Sequence, residues 1–186
     1  GKTLDGGMDR LRAVLAHEGV DTPLWYEVPK SKKAPAKVQE AVDEGADLVF
    51  VWGGDGMVQR SVDALRDPEV AVAIVPAGTA NLLAGSLGIP QDIDEAVAIG
   101  LHGRRRRIDV GVVNGECFVV MAGTGLDARM IRDADKSLKG RVGRAAYLWT
   151  GARNHAAEPV DASIRVDGAD WSEGDAGCVP VGTAGR

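Results

Sequence analysis

The chain is short of positive charge, of cysteine and of long apolar runs, and each shortage argues against a class of function. Twenty-two Lys and Arg stand against 27 Asp and Glu, a net charge of −5. That balance argues against a general nucleic-acid binder, so any basic contact surface has to be local. Cys117 and Cys178 are the only cysteines, far apart and in no metal-ligand spacing, the pattern of a reduced cytoplasmic protein rather than a disulfide framework. No apolar run approaches the roughly 18 residues of a membrane span, and the opening GKTLDGGMDR has none of the features of a signal peptide. His17, His102 and His155 lie in polar surroundings without ligand spacing and read as surface residues. No internal repeat or low-complexity tract is present.

What remains is 186 residues with 45% hydrophobic content, enough for one generous domain or one domain and part of another. Met8 to Glu18 carries Leu11, Val14 and Leu15 at helical spacing and stops at Gly19. Leu24 to Val28 is short and β-prone, and Pro35 to Glu44 reads as a helix with Pro in its first turn and Gly45 beyond its last. The apolar runs DLVFVW and VAVAIV read as buried strands, with helices over Val58 to Arg66, Asn81 to Leu87 and Asp94 to Leu101. Strands apolar on both faces, alternating with helices, predict an α/β fold: a three-layer domain in which a parallel sheet is covered by helices. From Arg107 the pattern turns to antiparallel strands, with an Asn114-Gly115 hairpin turn and a helix over Lys139 to Thr150. Residues 1–106 are therefore expected to form one domain and 107–186 an incomplete β-rich second one. The chain opens without a preceding strand and stops with few strands in its β-rich part, which predicts a fragment.

The chemistry concentrates in two loops. In VFVWGGDGMVQR a strand runs into Gly53, Gly54 and Gly56 and then into a helix. Gln59 stands where a dinucleotide fingerprint needs its third glycine, and no Lys follows Gly56 as a Walker A loop requires. The physical core of both devices survives, because glycines let backbone N–H groups approach a phosphate at a helix N-terminus. The alternative is a tight strand-to-helix turn with glycines for packing alone. The run AIVPAGTANLLA repeats the arrangement with Gly78, Thr79 and Asn81; Thr79 suits a helix cap or a ligand contact, and Asn81 can cap or bind. Two such loops at the carboxyl ends of sheet strands are where open α/β folds hold ligands. Asp55, an anion among these glycines, has two readings: organising a nucleotide and its metal, or capping a helix that starts at Met57.

GGDGM followed by IVPAGTANLLAGSLGIP and RRRRIDVGVVNGECFVVMAGTGLDA resembles the catalytic region of the diacylglycerol kinase family of lipid kinases, especially its bacterial soluble members. The likeness extends over nearly the whole chain, where IRVDGADW and CVPVGTAGR resemble early strands of that family's β-sandwich domain. It implies ATP contact by Gly53, Gly54, Asp55, Gly56, Met57, Val58, Gln59, Gly78 and Thr79, with Ser31 standing where a nucleotide-contacting Thr is often found. It also implies a lipid substrate such as diacylglycerol and Mg2+ bridging the phosphates, with Asp55 in a catalytic role. The chain departs from the family at Met57, where the usual loop has Thr. The family's Asn-Pro-x-Ser-Gly loop is absent except for Gly1, and its main catalytic base and acidic metal ligands fall beyond Arg186, so the chain alone is expected to be inactive. The reading that follows is an ATP-dependent transfer of a γ-phosphoryl group to a lipid hydroxyl. Its alternatives are a nucleotide-binding module without catalysis and an NAD kinase-like phosphotransferase. Arg104 to Arg107 suit either anionic headgroups at the inner membrane face or a solvated approach to a strand. Trp52 suits a base stack or, more simply, the core, and Asp127 the cleft or a cap.

Overall fold

The computed structural model describes residues 7–65, 69–125 and 159–183. Helix α1, Gly7–His17, buries Leu11 and Leu15, four residues apart on one face. It ends on Gly19 at φ 84, where Gly19 N donates to Ala16 O and Val20 N to Leu15 O, the left-handed stop that glycine accepts without a β-carbon clash. A single 3-10 turn, Ser31–Lys33, leads into α2, Ala34–Asp43, which has Pro35 in its first turn. Gly45, at φ 92, closes α2 in the same way.

Strands β1, Leu48–Gly53, and β2, Ala71–Pro76, pair in parallel from Leu48 opposite Ala71 to Gly53 opposite Pro76. Between them runs α3, Asp55–Ala64, and after β2 come α4, Leu82–Ser86, and α5, Ile93–His102. Asp92 caps α5 by accepting the Glu95 N–H at 3.0 Å. Alternate residues of β1 divide between two cores, as a strand's period of two requires. Phe50 and Trp52 pack on Leu11, Leu15, Val75, Ile93, Ala96 and Val97, whereas Val49 and Val51 belong with Val58, Ile74, Leu83, Ala84 and Val119. Gly100 brings α5 close to the sheet, since a β-carbon there would lie 2.5 Å from the Phe50 ring and 2.7 Å from Ala73 Cβ.

Two expectations shift, and a third falls outside the described residues. Leu24 to Val28 is not a strand: it is not paired with any described strand, and its aromatic residues anchor it through side chains instead. The Arg12 guanidinium lies 4.3 Å from the Trp25 ring centroid and Lys37 Nζ 5.1 Å from that of Tyr26. High β-propensity expresses fit to a neighbouring strand, and no described strand is there to be met. Second, α3 starts at Asp55 rather than at Val58, so Gly56 belongs to a helical first turn. Third, the helix expected over 139–150 lies outside the described residues.

The hairpin is as expected. β3, Gly111–Val113, and β4, Glu116–Phe118, pair antiparallel across Asn114 and Gly115 at φ 52 and 83. Positive φ at both residues is the two-residue turn whose twist suits a hairpin. β5, Met121–Gly125, pairs with β8, Cys178–Gly182, and β6, Val160–Val166, with β7, Ala169–Ala176, all antiparallel. Contacts divide the chain into residues 1–120 with 183–186, and residues 121–182. The hairpin that follows the change of pattern at 106 and 107 thus lies with the first unit. The architecture is mixed α/β with a parallel strand pair, and among the described residues no helix is long and apolar enough to cross a membrane.

Tyr26 offers a pH test of the anchored segment. Burial, then a 2.9 Å hydrogen bond from its hydroxyl to Glu44 Oε1, pushes its phenol from 10.0 up to about 12. A folded pKa above the unfolded value means the stabilisation is intact below pH 10 and lost as pH rises through about 12. Denaturation midpoints measured across pH 9 to 12 should fall for the natural chain, and Tyr26→Phe should remove that component of the decline.

Candidate functional site

Because β1 and β2 are parallel, their carboxyl ends lie together, and so do the loops that leave them. The loops touch through their backbones. A β-carbon on Gly54 would lie 2.9 Å from Gly78 Cα, and one on Gly78 would lie 2.6 Å from Gly54 Cα and 2.7 Å from Asn81 Oδ1. Glycine is required at both positions for this approach, whatever else the loops bind.

Two polar side chains hold the contact. Asn81 is 6% exposed and sits at φ 49, the left-handed region that Asn tolerates. Its Oδ1 accepts the Gly78 N–H at 2.8 Å while its Nδ2 donates to Gly78 O at 3.0 Å, closing the second loop on itself. Asp55 reaches across from the first loop: Oδ2 accepts the Asn81 N–H at 2.9 Å and Oδ1 the Leu82 N–H at 2.6 Å. Asp55 is therefore not the cap of a helix starting at Met57. It is the first residue of α3, and it caps α4 instead, an anion on the free N–H groups of a neighbouring helix. The N-cap of α3 is Gly54, whose carbonyl accepts from Met57 and Val58. The Asp55 and Gly56 N–H groups make no hydrogen bond to the protein among the described residues.

The other candidates separate into those at the loops and those turned inward. Thr79 is exposed beside Gly78, and the Ser31–Lys33 turn packs against α3. Val58 is 4% exposed and in the core. Met57 is half-buried against the Val51 cluster and covers Gly53, where a β-carbon would lie 2.6 Å from Met57 Cβ. Gln59 is engaged at both ends of its amide, donating to Cys117 O and accepting from Val119 N, and one turn on Asp63 accepts the Cys117 N–H at 2.8 Å. These two side chains hold β4 to α3. Trp52 takes the core reading, with its indole N–H buried and unpartnered among the described residues. His102 pairs with Glu18 at 2.7 Å, His17 is exposed, and Arg104 to Arg107 are exposed with Arg107 3.2 Å from Glu69. His155 and Asp127 lie outside the described residues. No three His, Cys, Asp or Glu side chains cluster as metal ligands among the described residues.

The Gly54 to Gly78 approach predicts a contrast between two glycines on the same segment. Gly78→Ala should cost roughly 1–3 kcal/mol, the usual penalty of overpacking. Gly85→Ala, in α4 with nothing within 4 Å of its β-carbon, should be neutral or stabilising by up to about 1 kcal/mol. Urea denaturation of the two variants beside the natural chain measures both.

The family model described as the diacylglycerol kinase catalytic domain matches residues 2–113. A Klebsiella pneumoniae (strain 342) protein named "Probable lipid kinase YegS-like" is 33% identical over 173 residues, 91% of this chain and 58% of that protein. "Probable lipid kinase YegS" of Escherichia fergusonii is 34% identical over 151 residues, 78% of this chain and 50% of that protein. The chain thus spans about half the length of the curated relatives it matches. Among solved structures, a diacylglycerol kinase from Bacillus anthracis str. Sterne superposes with a TM-score of 0.74 at 28% identity, over 98% of this chain and 61% of the other. With the two glycine loops in the family's order and the family model covering both, the chain belongs to the diacylglycerol kinase catalytic domain family.

Proposed function

We propose that this chain is the nucleotide-binding part of a lipid kinase that transfers the γ-phosphoryl group of ATP to a lipid hydroxyl such as that of diacylglycerol. The observation that carries the proposal is the packing of two strand-glycine-helix loops against each other at the carboxyl ends of a parallel strand pair, where such folds take phosphates. In this reading the cores on either side of β1 belong to a three-layer nucleotide domain, and residues from 121 onward begin a β-sandwich.

Each side chain then has a definite task. The free Asp55 and Gly56 N–H groups and the N-terminal end of α3 receive phosphate oxygens. Thr79 adds an exposed hydroxyl from the second loop, and Ser31 one from the turn beside α3. Asp55 keeps the loops in register rather than acting on substrate. Phosphoryl transfer depends mainly on positioning and charge neutralisation, so a displaced loop lowers the rate without any lost chemical group. A Mg2+ ion accompanying ATP would meet a single loop carboxylate whose two oxygens already accept N–H groups. The described residues therefore do not fit a protein-held metal site. The exposed Arg104 to Arg106 favour approach to an anionic leaflet at the cytoplasmic face, at about 1 kcal/mol per basic residue.

Radiolabelled ATP supplied to the longest natural form of the protein with diacylglycerol, a sphingoid base or NAD as acceptor tests the assignment. Label in a lipid product is expected; label in NADP alone, or in no acceptor at all, overturns it. In that form Asp55→Asn sets an amide donor against a backbone donor. ATP affinity should fall about tenfold, one lost charge-assisted hydrogen bond, and unchanged affinity would remove Asp55 from the site.

A further inference from the structure

Helix α3 does for β4 what a neighbouring strand would do. In the hairpin Val113 stands opposite Glu116 across a two-residue turn, so the backbone groups of Glu116 and Phe118 face β3 and those of Cys117 face the other edge. On that edge the partners are two side chains one turn apart on α3. Gln59 donates to Cys117 O and accepts the Val119 N–H at 3.1 Å, and Asp63 accepts the Cys117 N–H at 2.8 Å. A carboxylate can only accept, whereas an amide bridges a carbonyl and an N–H two residues apart, which is why the Gln59 position is the more demanding of the two.

The residue that follows this edge carries strain. Val120 sits at φ 78, a region a β-branched residue rarely enters, and such a conformation persists only where its surroundings over-determine it. Val119 is 9% exposed in the core with Val51 and Val58. Val120 itself exchanges two hydrogen bonds with Thr183: its N–H donates to Thr183 Oγ1 and its carbonyl accepts the Thr183 N–H, both at 3.0 Å. Residues 121–182 form the second unit, so the chain leaves the first unit at Val120 and re-enters it at Thr183. The two crossings are bonded to each other, and Gln59 and Asp63 bond the run that leads to the first of them to α3.

We infer that Gln59 is a positioning residue for phosphoryl transfer, holding the paired crossings at Val120 and Thr183 in fixed relation to the helix that receives the phosphate, an assignment that rests on the kinase reading. Gln59 stands four residues, about one turn, after Asp55, so the clamp and the phosphate-receiving end belong to one helix. A side chain directed to ATP acts through affinity. One directed to the crossings acts through rate, because a misplacement of about 1 Å between reacting groups costs up to roughly 100-fold.

The longest natural form of the protein carries the test, with radiolabelled ATP and diacylglycerol and with rates expressed per ATP-binding site counted by direct titration. Gln59→Met keeps the length of the side chain and removes both of its hydrogen bonds. Its kcat should fall about tenfold or more, while the dissociation constant of ATP changes by less than about twofold, the signature of an interaction that matters only in the transition state. Thr183→Val removes the acceptor of the Val120 N–H and should give the same pattern. In the double variant kcat should stay near that of the weaker single variant, because residues that act through one element are not additive. Natural kcat per ATP site in Gln59→Met overturns the inference and leaves Gln59 a purely structural residue, as does weakened ATP binding at natural kcat, which returns Gln59 to nucleotide contact. Losses that multiply in the double variant overturn it as well. Absence of transfer to lipid by the natural form removes the kinase reading and this inference together, whereas transfer by the natural form with unaltered variants removes this inference alone.

Discussion

The Asp55 carboxylate is the constraint on which the candidate site depends. Both of its oxygens are committed to N–H groups that start α4, and a carboxylate in that position is a charge-assisted acceptor favoured by the helix dipole. An anion among glycines looks out of place in a loop at a helix N-terminus. Its effect is to satisfy the Asn81 and Leu82 N–H groups at the start of α4 from within, while the Asp55 and Gly56 N–H groups at the start of α3 have no protein partner among the described residues. Two geometrically similar loops thereby become unequal. With Gly54 and Gly78 in backbone contact and Asn81 folded back on Gly78, neither loop can shift without the other.

Much of this was readable from the residues in order. The helix stops at Gly19 and Gly45 and the Asn114-Gly115 turn follow from local conformational preference, which needs no knowledge of the rest of the chain. The apolar runs of β1 and β2 announced strands buried on both faces. Where the reading went astray, the deciding partner was distant or of the wrong kind to leave a trace. Leu24 to Val28 has strand-like composition, yet strand formation needs a neighbouring ladder that composition cannot supply. α3 begins at Asp55, ahead of the apolar spacing that marks it from Val58, because Gly54 serves as its N-cap and an acidic residue suits the first turn.

The side chains of α3 carry the sharper lesson. Gln59 lies in the stretch expected to touch nucleotide, and both ends of its amide are instead bound to the backbone of residues 117 and 119. A backbone partner has no sequence signature, so a side chain directed to it is indistinguishable on paper from one directed to a ligand. Met57 is similar. It stands where the usual loop has Thr, and its side chain packs against the core over Gly53, which involves none of the backbone N–H groups of the loop.

The bonds from Asp55 to Asn81 and Leu82 span 26 and 27 residues of sequence, and they exist only once β1 and β2 have found their register. No local fragment of the chain can present both loops in this arrangement, and an unfolded chain presents neither. Presentation of the two loops in this arrangement thus requires the paired strands. Occupancy of the loops and integrity of the first unit are for that reason linked by mass action: whatever anion settles there draws the whole folding equilibrium toward the native side.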